Sequence, residues 1–148
     1  MRRSTLLVAL AAAACSAGPP QPANLDTKNE TCAFCRMAIS DGRLASQIVA
    51  PGEEPKFFDD FGCLRDYLRE HPAASGAVVY VTDHRTKAWV SAAQAVFTRV
   101  PGLETPMASH LVAHADPVSR DRDPDVKGGE SVALTGLFGP GGPPRGLR

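Results

Sequence analysis

The sequence predicts an α+β fold: small, mostly antiparallel sheets with packed helices. Three observations carry this. The order strand, strand, helix, strand occupies residues 44–82. One amphipathic stretch, Phe61 to Glu70, has helical periodicity. The remaining apolar runs are short, β-branched and separated by turn residues, which favours antiparallel pairing over long crossovers.

Taken in order, Leu44-Ala45-Ser46-Gln47-Ile48-Val49-Ala50 is the first strand, with Leu44, Ser46, Ile48 and Ala50 on one face. Pro51-Gly52-Glu53-Glu54-Pro55 is turn material, and Lys56-Phe57-Phe58 returns as a short strand, making a hairpin. Asp59-Asp60 follows, and either carboxylate can accept hydrogen bonds from the free amides of a helix start. In the helix, Phe61, Leu64 and Leu68 share a face, with Cys63 and Tyr67 on the adjoining line. His71-Pro72 ends it, since the residue before proline avoids helical angles. On this reading Cys63 is a helix-face thiol packed in the core.

Ala77-Val78-Val79-Tyr80-Val81-Thr82 is a central strand, and Lys87-Ala88-Trp89-Val90 follows a turn at residues 83–86. Further strands are expected at Ala95–Val100, Ser109–Ala115 and Ser131–Leu134. Residues 116–127 are highly charged, with Pro117 and Pro124, and read equally as a short helix or a loop. A second ββαβ unit therefore fits, although its helix is poor. No sequence repeat is visible.

The ends read differently. Met1-Arg2-Arg3, an apolar run from Leu6 to Ala14 and then Cys15 have the layout of a secretory signal. The run is shorter than the roughly 20 apolar residues of a membrane span. A cysteine after Ala12-Ala13-Ala14 looks like a bacterial lipoprotein signal, with Cys15 as the lipidated residue. Residues 1–15 are thus expected to be a signal peptide with lipidated Cys15, and 16–29 a flexible tether rich in proline and polar residues. Residues 30–138 form one domain by size, and 139–148 a disordered Gly/Pro tail. The chain carries 16 basic and 16 acidic residues, and loss of a leader holding Arg2 and Arg3 leaves a slight acidic excess. Nucleic-acid binding, which needs a basic patch, is not supported.

The chemistry centres on Cys32-Ala33-Phe34-Cys35-Arg36-Met37. The thiol pair alone fits a redox dithiol, half a zinc site or a disulfide. Met37 favours metal, because a dithiol redox site has no use for a thioether while Cu(I) does; it is also compatible with a core methionine beside a disulfide. If Cys15 carries lipid, Cys32, Cys35 and Cys63 remain, an odd number that cannot all pair within the chain. Met107, just after Pro106, is either a core residue or a second thioether. His110 and His114, four apart, share a face on a helix or a strand; His84 sits in an expected exposed turn. No serine-nucleophile, phosphate-loop or zinc-protease motif is present. Asp59-Asp60 is explained more simply by capping than as a catalytic pair.

Cys32-x-x-Cys35-x-Met37, Phe57-Phe58-Asp59-Asp60 followed by Cys63, Tyr80-Val81 and Thr105-Pro106-Met107 together resemble the NosL family, accessory proteins of nitrous oxide reductase. The matching order covers most of the domain. The resemblance implies two ββαβ modules and a lipid-anchored protein of the bacterial cell envelope, facing the periplasm from the outer membrane. It implies a non-enzymatic metallochaperone that binds Cu(I) and delivers it to nitrous oxide reductase. Carried over by position, Cys35 and Met37 form the soft core of the site, with Cys32 close by, Met107 as a further donor and a histidine left unassigned. Two rival readings stand beside it. One is an envelope thiol-disulfide oxidoreductase using Cys32 and Cys35. The other is a Cu(I) chaperone for another cuproenzyme.

Overall fold

The computed structural model describes residues 18–144. The expected signal peptide, the lipidated Cys15 and residues 145–148 of the expected tail lie outside the described residues.

The chain opens into β1 (Ser46–Val49) and β2 (Lys56–Phe58), joined through the Pro51-Gly52 turn, where Gly52 takes a φ of 74°. Only glycine adopts that angle at no steric cost. Helix α1 (Phe61–Glu70) follows, with Asp60 as its N-cap: the Asp60 side chain accepts from the Gly62 amide. The helix stops at His71, ahead of Pro72, as the sequence requires. Phe61, Cys63 and Leu64 form its buried face. Strand β3 (Val78–Thr82) then pairs antiparallel with β1, and β4 (Trp89–Ser91) with β3, giving the sheet order β2-β1-β3-β4.

The second half contains β5 (Val96–Arg99), β6 (Leu111–His114), α2 (Pro117–Asp121) and β7 (Glu130–Val132), with the order β6-β5-β7. In both halves the first strand lies between the second and the third, and the helix crosses between the two outer strands. The ββαβ unit therefore occurs twice, with β4 appended to the first copy. In the second copy the helix is short for a local reason. Asp116 caps it through the Ser119 amide and Pro117 opens it, but Asp123-Pro124 begins a separate 3-10 turn. The charged stretch is thus part helix and part turn.

The final strand is placed differently from the sequence reading. It runs from Glu130 to Val132, and Leu134, expected to end it, instead opens α3 (Leu134–Phe138). Leu137 of that helix is buried, and Phe138 meets Phe97 edge-on at 5.9 Å between ring centres. Tertiary packing of two apolar side chains outweighs the local β preference of the run.

One main core spans both modules, with Phe58, Leu64 and Val79 from the first and Phe97, Leu111 and Ala113 from the second. Phe61 of α1 packs edge-to-face on Phe97 of β5, with ring centres 5.7 Å apart. Backbone also crosses between the sheets: Asp83 bridges to Ala113, and the His84 amide donates to the Ala113 carbonyl at 2.8 Å.

The segment expected as a tether is pinned at two points among the described residues. The Gln47 amide side chain exchanges two hydrogen bonds with the Ala23 backbone, and the Tyr80 hydroxyl donates to the Pro20 carbonyl at 2.6 Å. At the other end, the Pro144 carbonyl in the Gly/Pro stretch accepts from the Val79 amide of β3. Proline carbonyls remain good acceptors even where the residue has no donor.

Candidate metal centre

The motif Cys32 to Met37 forms a tight knuckle. Thr31 and Ala38 bridge antiparallel at its base. The Cys32 amide donates to the Met37 carbonyl at 2.8 Å, and the Arg36 amide donates to the Cys32 carbonyl at 3.0 Å. The reversal needs a left-handed residue, and Arg36 takes it at φ 68°. A hydrogen bond from the Ala33 amide to the Phe57 carbonyl, 2.8 Å, docks the knuckle onto β2. It therefore sits beside the β2–α1 junction, where Asp59 and Cys63 lie four residues apart.

The result is a cluster of four donors. One ligand atom each from Cys32, Cys35, Asp59 and Cys63 lies within 4.8 Å of all the others. Cys32, Cys35 and Cys63 are free thiols. Cys32, Cys63 and Asp59 are buried, with at most 2% exposure, whereas Cys35 is only half-buried and is the thiol nearest solvent. The Cys35 thiol donates to the Asp59 carboxylate, with contacts of 3.4 and 3.5 Å.

Burial first, and then neighbouring Cys32 and Asp59, push the Cys35 thiol up to about 11, against a hydrogen bond from the Met37 amide that favours its thiolate. Cys63 is raised too, first by burial and then by the negative charge of its neighbours. A cation entering the cluster must therefore displace protons from these thiols, and in doing so supplies the charge that stabilises the thiolates. Three sulfurs and one oxygen suit a soft ion. The setting differs from that of a reactive redox dithiol, which typically opens a helix and has a lowered pKa.

Sequence reasoning read Cys63 as core packing and Asp59-Asp60 as capping. Cys63 is buried on α1 as expected, but its sulfur faces the two motif cysteines. Asp60 is the cap, and Asp59, one residue earlier, turns to the thiols. The one hint in the sequence was the odd thiol, which did not say which residues would join it.

The structure brings Cys32 and Cys35 together. The two expected thioethers are at the surface: Met37 is 44% exposed and Met107 48%. Met107 lines a cavity of about 250 Å³ together with Phe34, Cys63 and Ser109, so it stands on a path toward the cluster. Its own backbone amide donates to Asp60 at 3.1 Å.

The histidines differ from the sequence reading. His84, expected in an exposed turn, is 3% exposed. His110 and His114 do not form a pair. His110 lies outside β6 with φ 56°, so strand alternation does not reach it, and its Nδ1 meets the Leu103 carbonyl at 2.8 Å.

A protein-family model described as NosL matches residues 22–134. No curated protein and no solved structure matches the chain.

Proposed function

The chain belongs to the NosL family, and from that premise we propose that it carries Cu(I) to nitrous oxide reductase while the reductase's copper centres are assembled. The family is one of copper-binding accessory proteins, and the chain's own residues give that role a physical basis. The observation that carries the reading is the convergence of Cys32, Cys35 and Cys63 on one point beside Asp59, with three of the four donors buried.

Cu(I) accepts two- and three-coordinate sulfur shells, so the cluster offers more donors than the ion needs. Entry of Cu(I) as a bis-thiolate releases two protons. Cys35 is the half-buried thiol of the cluster, and Met37 and Met107 are exposed thioethers. An incoming ligand from the acceptor enters at Cys35 or a methionine, and the ion moves stepwise by exchange without passing through free solution. In this reading Cys15 carries a lipid that holds the protein at the outer membrane facing the periplasm, and the oxidising envelope makes a bound ion the protection of the thiols.

The reading is tested by transfer. The reduced full chain, loaded with one Cu(I), is mixed with copper-free nitrous oxide reductase in the presence of a Cu(I) chelator that captures any released ion. Copper reaching the reductase faster than from the chelator complex supports the reading. Copper that passes only through the chelator, or reaches a different cuproenzyme in preference, overturns the client assignment. Disulfide exchange without copper transfer would favour an oxidoreductase instead.

A further inference from the structure

A second group of convergent donors lies outside the sulfur cluster and shares no residue with it. His84, His114 and Asp123 each present one ligand atom within 4.8 Å of the other two. They come from three places: the turn after β3, the last position of β6, and the start of the 3-10 turn after α2. All are deeply buried, at 3%, 0% and 4% exposure. His84 Nδ1 stands 2.7 Å and His114 Nε2 3.0 Å from the same carboxylate oxygen, Asp123 Oδ2.

We propose that His84, His114 and Asp123 form a second metal site, for a borderline divalent cation of the zinc class, which ties the two modules together. Two imidazoles and a carboxylate are the donors such an ion prefers, and with no sulfur among them they are poor for Cu(I). The carboxylate is held ready: Asp123 Oδ1 accepts from the Asp125 amide at 3.0 Å, which leaves Oδ2 to face the rings. His84 is fixed by its backbone bond to Ala113. His114 Nε2 donates to Asp123 in the metal-free geometry, while His114 Nδ1 is buried with no hydrogen-bond partner, so the ring can carry its proton there once an ion takes the place of the Nε2 proton.

The spacing is close to what is required. A tetrahedral ion with bonds of about 2.0–2.1 Å holds its donors about 3.3 Å apart. Opening the two contacts by a few tenths of an ångström admits it. A carboxylate buried this deeply is costly without a counter-charge, which the ion supplies. Asp123 also lines a cavity of about 380 Å³ with Arg120, Asp121 and Lys127, giving an approach from solvent.

The test uses the full chain, reduced and stripped of metal, titrated with Zn²⁺ beside a His84→Gln/His114→Gln variant. Zinc entering the sulfur cluster counts equally in both and cancels. The wild-type chain is expected to hold one more equivalent than the variant, to gain more in thermal midpoint, and to shift the imidazole ¹⁵N resonances of His84 and His114 at saturation. Equal stoichiometry, or imidazole resonances unmoved at saturation, would leave a hydrogen-bonded triad only and overturn the site. If the variant does not fold, the wild-type imidazole resonances decide alone. Failure here leaves the copper reading untouched, because no sulfur ligand is involved.

Discussion

Asp60 holds Met107: the Met107 amide donates to Asp60 Oδ2 at 3.1 Å while Asp60 Oδ1 caps α1 through the Gly62 amide. One buried carboxylate therefore fixes the start of the helix that carries Cys63 and the loop that carries an exposed thioether. Asp60→Ala is expected to lose about 2 kcal/mol of stability, from the cap and from the unpartnered Met107 amide. Asp60→Asn keeps an acceptor for the cap and should lose less. Denaturant unfolding of the two variants checks the order.

Cys63 is the donor whose part in the cluster was not evident from the chain. Cys63→Ser is expected to weaken Cu(I) binding by at least tenfold in competition with a chelator. A Met107→Leu change at a half-exposed position should leave stability within about 0.5 kcal/mol and should slow transfer to an acceptor more than it lowers affinity. Separate titrations and stopped-flow transfer measurements distinguish these effects.

The apo domain should lose stability at high pH. Burial raises the Cys35 thiol from 9.0 to about 11 in the folded chain, so the folded state holds its proton more tightly than the unfolded state. The resulting stabilisation is complete below about pH 9 and disappears as pH climbs through 11. Cu(I) affinity moves the opposite way, rising with pH because each thiolate must first give up a proton. Thermal midpoints of the apo and loaded chains between pH 8 and 11 are expected to diverge.

Acid acts through another residue. Burial pushes the Asp83 carboxyl up, but hydrogen bonds from the Ala115 amide, Ser119 and Thr86 outweigh it and hold the group near 2. The stability it contributes is present above about 3.8 and is lost as pH falls through 2. Because the Ala115 amide lies in the second module, 2.8 Å from Asp83 Oδ2, Asp83→Asn is expected to flatten the acid limb of the pH–stability curve. Unfolding followed between pH 2 and 5 reads this directly.

The strands and helix of the first module were legible in the sequence because each has its own punctuation: Pro51-Gly52 for the hairpin, Asp60 for the helix start, Pro72 for its end. The second module was only half legible. Its crossover is a five-residue helix and a 3-10 turn, too short for any periodicity to emerge, and Leu134 opens a helix set by the burial of Leu137 and the packing of Phe138 on Phe97 rather than by its own propensity. The knuckle cysteines were visible from spacing. Asp59 and Cys63 became donors only through the docking of Ala33 on Phe57, a contact between segments 24 residues apart. The burial of His84 likewise depends on a backbone bond to the other module.

X-ray absorption at the copper edge of the reduced full chain, loaded with one Cu(I), measures the central claim most directly. Two or three sulfur neighbours, falling by at least one in a Cys35→Ser/Cys63→Ser variant, are the predicted result. A shell of nitrogen and oxygen alone, or a sulfur count indifferent to both cysteines, would contradict the account.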